Sequence, residues 1–228
     1  MSDPLRVLLL GASGLVGRCV LEQAVGRSEV RLVGLSRREV ALPPGSLMEV
    51  HLAPVEGWAQ EIAAIAPDHV ICALGTTIRK QGGDAAAFAS VDRDQVLDVA
   101  RMAKNAGARG FVAVSSVGAD PSAKALYMRT KGEMEAGLGR CGFSRIDLLR
   151  PGLLRGERTG DMRVLERIAA LGAPLADLML QGERRKYRSI RAADVAAAAL
   201  QAVREKAPGR FVQEHDQIMR LSARWNSG

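Results

Sequence analysis

The stretch "LRVLLLGASGLVGRCVLEQAVGRSEVRLVGL" (5–35) restricts the fold more than any other part of the chain. "LRVLLL" (5–10) is a short, nearly continuous apolar run, which suits a strand covered on both faces of a parallel sheet. "GASG" breaks the run. "LVGRCVLEQAVG" (15–26) then carries apolar residues at helical spacing, and "VRLVGL" (30–35) reads as a second strand. Two parallel strands joined by a helix form a right-handed crossover. A chain that opens this way needs helices on both sides of its sheet.

The alternation continues. "LMEVHL" (47–52) predicts a third strand, "VEGWAQEIAAIA" (55–66) a short helix, and "HVICAL" (69–74) a fourth strand. A long helix is expected around 88–106, closed by "NAG" as a glycine stop. "GFVAVSS" (110–116) is a fifth strand, 124–138 a helix, and "SRIDLLRPG" (144–152) a sixth strand ended by proline. The expected fold class is α/β, with a doubly wound, mostly parallel Rossmann-type sheet. After residue 152 the pattern loosens. Helices are expected at 161–171 and in "PLADLML" (174–180). A short strand leading into a helix is expected in "KYRSIRAADVAAAALQAVRE" (186–205), and a last strand in "GRFVQEHDQIMRL" (209–221). At 228 residues the chain is read as one domain, with a core over 1–152 and a small lid over 153–228.

Composition excludes several classes. Three cysteines and three histidines share no ligand or disulfide spacing, so no metal is expected and the thiols are read as reduced and buried. The net charge of +7 comes from scattered arginines, with no basic run longer than "ERRK" (183–186) and no interleaved aromatics. No nucleic-acid partner is expected. No apolar stretch is long enough for a membrane span. The N-terminus has too short an apolar run for a signal peptide and an acid where a basic region would be, so a cytoplasmic chain is expected.

"GASGLVG" places Gly11, Gly14 and Gly17 directly after a strand and at the opening of a helix. In that context the first glycine permits a tight turn, the second lets backbone approach a pyrophosphate, and the third lets helix and strand pack closely. The helix N-terminus adds free N–H groups and partial positive charge. The site expected here is for a dinucleotide. Chains that bind NAD carry an acid at the end of the second strand to accept from the ribose 2′-hydroxyl. This chain has Arg37 and Arg38 in "LSRRE", and a guanidinium pairs with a 2′-phosphate that a carboxylate would repel. NADP(H) is therefore expected over NAD(H).

The segment "SSVGADPSAKALYMRTK" (115–131) holds one of only two tyrosines. Tyr127 and Lys131 stand four apart, on one face of a helix. A free phenol ionises near pH ~10, and a neighbouring ammonium favours the phenolate, which makes an acid–base catalyst. Ser116 or Ser115, ending the preceding strand, would donate to a substrate oxygen. Asp92 and Asp94 in "VDRDQ" read as a helix start and its solvated face.

The ordered set "GASGLVG", "SS" and "YMRTK" resembles the atypical or extended short-chain dehydrogenase/reductases. "CALGTT", "VDRDQVL", "SSVGAD", "YMRTKGEME" and "LRPGLLRGER" are similar to the Tat-interacting-protein-like oxidoreductases within that branch, over residues 5 to 165. The resemblance implies NADPH contacts from Ser13, Gly14, Leu15, Val16, Arg37, Arg38, Ala73, Leu74, Tyr127, Lys131 and Leu154. The resemblance also implies an oxidoreductase, and the reading adopted is a carbonyl reductase in which Tyr127 donates the proton, Lys131 assists, and Ser116 polarises a small-molecule carbonyl substrate. A monomer or weak homodimer is expected. Two alternatives remain open: an NADPH-responsive binding protein that acts through a protein partner, and a sugar-nucleotide epimerase-like enzyme.

Overall fold

The structure is a computed structural model that describes residues 3–76, 81–156 and 180–228. Seven strands form one sheet: β1 (Leu5–Leu10), β2 (Val30–Ser36), β3 (Glu49–Leu52), β4 (His69–Cys72), β5 (Gly110–Val114), β6 (Arg145–Leu149) and β9 (Gly209–Gln213). Their order is β3-β2-β1-β4-β5-β6-β9, and every described pairing is parallel. The order reverses between β1 and β4. Successive strands run outward from that point in both directions, which leaves a crevice beyond their carboxyl ends.

Among the described residues the α-helices are α1 (Leu15–Ala24), α2 (Trp58–Ile65), α3 (Ala85–Ala89), α4 (Gln95–Asn105), α5 (Leu126–Leu138), α6 (Ala192–Ala202) and α7 (His215–Asn226). They explain why the strands read as unbroken apolar runs. Val7 and Leu9 point into one core with Val20, Leu21, Val195, Leu200 and Trp225, from α1, α6 and α7. Leu8 and Leu10 point into the other with Trp58, Ile62, Val96, Val99 and Leu138, from α2, α4 and α5. Period-two alternation sends every second side chain to the opposite layer, and both layers are dry.

Several expected boundaries shift. The third strand begins at Glu49 instead of Leu47, and Leu47 is fully exposed. The fourth strand stops at Cys72, leaving Ala73 and Leu74 as loop. The helix expected over 88–106 is instead α3, a π-helical turn (Ser90–Asp94) and α4 in sequence. At the junction the Gln95 N–H reaches back five residues to the Ser90 carbonyl. The expected helices at 161–171 and in "PLADLML" lie outside the described residues, apart from Leu180.

The lid expected over 153–228 is corrected for its second half. Among the described residues, only the two-residue strands β7 (Leu154–Arg155) and β8 (Ile190–Arg191) form a separate ribbon. Beyond them, α6 is buried along nearly its whole length, β9 extends the main sheet beside β6, and α7 closes the layer. An alanine-rich helix can pack this closely because alanine leaves backbone free to approach on all sides. The core that holds Val7 and Leu9 needs that helix, so the tail is part of the body. Trp225 shows how α7 is held. It is 1% exposed, the Arg27 guanidinium stacks 4.7 Å from its ring, and the same arginine donates to the Trp225 carbonyl at 3.0 Å. Trp225→Ala should lower the unfolding free energy by about 3–5 kcal/mol in a denaturant titration. Wild-type stability in that variant would return the tail to the status of a lid.

Candidate functional site

The loop between β1 and α1 lies at the point where the strand order reverses. Gly11 adopts φ +80°, and a Cβ there would collide with the Ala73 carbonyl, so residue 11 must be glycine for the β1 and β4 ends to meet. The Ala73 N–H donates to the Leu10 carbonyl at 2.9 Å, continuing the ladder one residue past β4. At Gly17 a Cβ would strike the Gly11 carbonyl, so α1 sits directly on the loop. Gly14 is the N-cap of α1; no side chain caps that helix and no acid stands in its first turn. Its first N–H groups therefore face the crevice without a capping side chain. That is a backbone cradle with helix-end polarity, and it fits a pyrophosphate.

The remaining expected cofactor residues surround this cradle. Ser13 is exposed on the loop, Leu15 is half-buried and Val16 is buried. Arg37 and Arg38 are exposed just beyond β2, where the Arg38 N–H donates to Ser36 Oγ at 3.3 Å. Neither guanidinium makes an ion pair with a described residue. Leu154 sits on β7, and a Cβ on nearby Gly156 would lie 2.8 Å from Leu15 Cδ1, so this ribbon runs past the start of α1.

Tyr127 lies in the first turn of α5. It is half-buried, with its ring tilted 36° against Phe88 at a centroid distance of 5.8 Å. Lys131, one turn on, is 3% exposed and its Nζ lies 2.8 Å from Asp92 Oδ1. The other carboxylate oxygen of Asp92 accepts from the Thr76 N–H at 2.7 Å. Burial works against the charge on Lys131, but Asp92, and after it Tyr127, outweigh that effect and hold the ammonium above the ordinary lysine value. Cys72, at the end of β4, faces the same group, and burial pushes its thiol up to about 11.

One reading of the sequence is corrected here, and one open choice is narrowed. Asp92 is 1% exposed, not part of a solvated face; Asp94 is outside, paired with Arg93 at 2.7 Å. The two serines also separate. Ser115 is buried and donates to Glu135 Oε1 at 2.6 Å, so its hydroxyl is committed. Ser116 is half-buried and bonds only the neighbouring Val117 carbonyl, at 3.3 Å. Of the pair, Ser116 is the one with a hydroxyl to spare.

Glu135 was missed in the sequence. It takes two hydrogen bonds from Arg150, at 2.9 and 2.6 Å, and a longer contact from Arg210 at 3.5 Å. This network ties α5 to the ends of β5, β6 and β9. Spacing could have revealed both buried acids. Glu135 continues the 127, 131 row, and Asp92 falls midway between Phe88 and Val96, which are both buried. Neither residue stands on the polar face of its helix.

Comparison with known proteins agrees with this geometry. The sequence profile of an NAD(P)H-binding family matches residues 11–206. Protein HTATIP2 of Rattus norvegicus is 38% identical over 160 residues, which cover 67% of this chain and 64% of that protein. The chain thus spans less than two thirds of that relative. The protein FMP52, mitochondrial, of Coccidioides immitis is 31% identical over 207 residues, 85% of this chain and 83% of that protein. FMP52 relatives carry mitochondrial in their names, which overturns the expectation of a cytoplasmic location. Among solved structures, a putative epimerase from Burkholderia cenocepacia superposes with a TM-score of 0.69 at 16% identity, covering 99% of this chain and 82% of that one. The Bordetella bronchiseptica enzyme WbmH in complex with NAD+ gives 0.69 at 15% identity, covering 92% and 75%. At such identity these structures speak for the fold alone. The family profile and the HTATIP2 and FMP52 relatives together show that the chain belongs to the NAD(P)H-binding, Tat-interacting-protein-like family with a Rossmann-type fold.

Proposed function

We propose that the protein is an NADPH-dependent oxidoreductase that reduces a small-molecule carbonyl, with Tyr127 as proton donor. The observation that carries this reading is the convergence of three features on one sheet edge. These are an uncapped helix N-terminus behind a glycine loop, two free arginines past β2, and a half-buried phenol one turn from a buried ammonium. The backbone N–H groups of residues 15–17 would hold the pyrophosphate, since that of Gly14 already donates to the Gly11 carbonyl at 2.9 Å. Arg37 and Arg38 would take the 2′-phosphate, where a bidentate guanidinium contact adds about 1.5–3 kcal/mol. Bound there, the reduced nicotinamide would supply the hydride.

The chain's own residues do the rest. Ser116 donates to the carbonyl oxygen and polarises the bond. Tyr127 delivers the proton to that oxygen as its charge develops, and Phe88 fixes the ring's tilt. Lys131 is held against Asp92, so its part is to keep the region positive enough for an oxyanion without swinging into the crevice. Placement is the protein's main contribution, because general acid catalysis adds only about 10²–10⁴-fold.

A second reading has a specific observation in its favour. Lys131 is already engaged by a carboxylate and Ser115 by Glu135, which suits an NADPH-responsive protein that binds a partner and turns over little. Screening aldehydes, ketones and quinones for NADPH oxidation separates the two: turnover supports the first reading, and tight NADPH binding without turnover the second.

In a binding titration NADPH should bind at least about tenfold more tightly than NADH, and Arg37→Ala together with Arg38→Ala should erase the preference. Equal affinities in the unaltered protein would contradict the assignment of the arginines. Tyr127→Phe should lower turnover by about 10²–10⁴-fold while NADPH affinity stays within about twofold. Full activity in that variant would remove the phenol from the mechanism.

A further inference from the structure

The basic run "ERRK" is a sequence feature that the proposed function leaves unused. From residue 184 to 191 the chain carries Arg184, Arg185, Lys186, Arg188 and Arg191, and no acid. Residues Gly182–Tyr187 form a 3₁₀ turn. Packing sets that turn at the substrate end of the crevice. A Cβ on Gly152 would strike the Tyr187 and Arg188 carbonyls, so their backbone lies directly on the loop after β6. The same loop presents the Pro151 carbonyl to the Val117 N–H at 3.0 Å, next to Ser116. The basic turn therefore borders the hydroxyl assigned to the carbonyl oxygen.

Three of the five cations are committed. Arg185 pairs with Asp216 at 3.3 Å, and Arg191 pairs with Asp194 at 2.8 Å. Arg188 donates to the Leu180 carbonyl at 2.8 Å. These contacts fix the turn against α7 and the start of α6. Arg184 and Lys186 meet no carboxylate among the described residues. Lys186 Nζ sits 5.6 Å from the centre of the Tyr187 ring. Side chains three apart eclipse in a 3₁₀ turn, so Arg184 stands on the Tyr187 side as well. Tyr187 and Leu153, on the two adjoining segments, are both exposed. The result is an apolar surface flanked by two uncommitted positive charges.

We propose that the carbonyl substrate is an apolar compound bearing a carboxylate, its body laid on Tyr187 and Leu153 and its carboxylate held by Arg184 and Lys186. The proposal rests on carbonyl reduction at Ser116 and Tyr127 and names the class of compound reduced there. A guanidinium takes a carboxylate through two parallel hydrogen bonds, and an ammonium adds a point charge. Exposed charges attract weakly in water, but an apolar body laid beside them displaces that water and strengthens the attraction. Anchored at this end, the compound extends its carbonyl toward Ser116. The carboxylate is unchanged by the reaction: the carbonyl gains a hydride at carbon and the Tyr127 proton at oxygen, giving the alcohol and NADP+.

Three aldehydes separate the parts of this surface: 4-carboxybenzaldehyde, benzaldehyde without the carboxylate, and glyoxylate without the ring. Equilibrium titrations are run with NADP+ present, so that no reduction occurs. 4-Carboxybenzaldehyde should bind at least about tenfold more tightly than either of the others. Arg184→Ala with Lys186→Ala should bring its advantage over benzaldehyde down to about one. Equal binding of all three, binding of none, or an advantage that survives the double substitution would overturn the proposal. NADPH oxidation tests the parent reading separately. 4-Carboxybenzaldehyde that binds with the expected preference but is not reduced would defeat the oxidoreductase reading and leave the carboxylate site standing.

Discussion

A single backbone contact organises this molecule: the Ala73 carbonyl pressed against Gly11, where any side chain would intrude. It joins the carboxyl ends of the two central strands at the place where the sheet changes direction. Gly17 stacks α1 on the same carbonyl cluster, so strand, loop and helix form one close-packed unit. Because the two loops touch, the helix N-terminus opens toward the crevice and not toward its neighbour. The cradle thus follows from packing, before any ligand is considered.

The second constraint concerns charge. Burying a carboxylate or an ammonium costs several kcal/mol unless a partner and hydrogen bonds complete it. Beneath the sheet edge the chain buries both Asp92 and Glu135, and it completes each of them. Asp92 meets Lys131 and a backbone N–H; Glu135 meets Arg150 twice and the Ser115 hydroxyl. The two networks meet α5 one turn apart, at Lys131 and at Glu135. They hold that helix to the loop after β4, to β5 and to β6, and so hold the phenol in place. Ser115 and Ser116 are neighbours in sequence but differ in use: one locks the helix, and the other is left for the crevice.

Much of the fold was legible in the sequence. Apolar runs located β1, β2, β4 and β5, because strands covered on both faces carry few polar residues. The glycine triplet located the cradle, because its spacing answers a steric demand. Asp92 was read as solvated, since charged residues near a helix start usually are, although its place midway between Phe88 and Val96 puts it in the buried row. The tail was read as a lid because the alternation of strand and helix loosens after residue 152, although a last strand was expected within 209–221. It is an edge strand, exposed along much of its length, and edge strands lack the pattern that sandwiched ones require. The lone tyrosine pattern was ambiguous by itself. It gained meaning only from its order after the glycine loop and the serine-ended strand.

These pieces make one physical account: an uncapped helix end receives the phosphates, two arginines choose the cofactor, and a phenol held by compensated charges faces its reactive end. A crystal structure of the complex with NADPH tests this most directly. The account predicts pyrophosphate oxygens on the N–H groups of residues 15–17, the 2′-phosphate against Arg37 and Arg38, and the nicotinamide ring facing Tyr127. An empty crevice, or a nicotinamide turned away from that phenol, would contradict it.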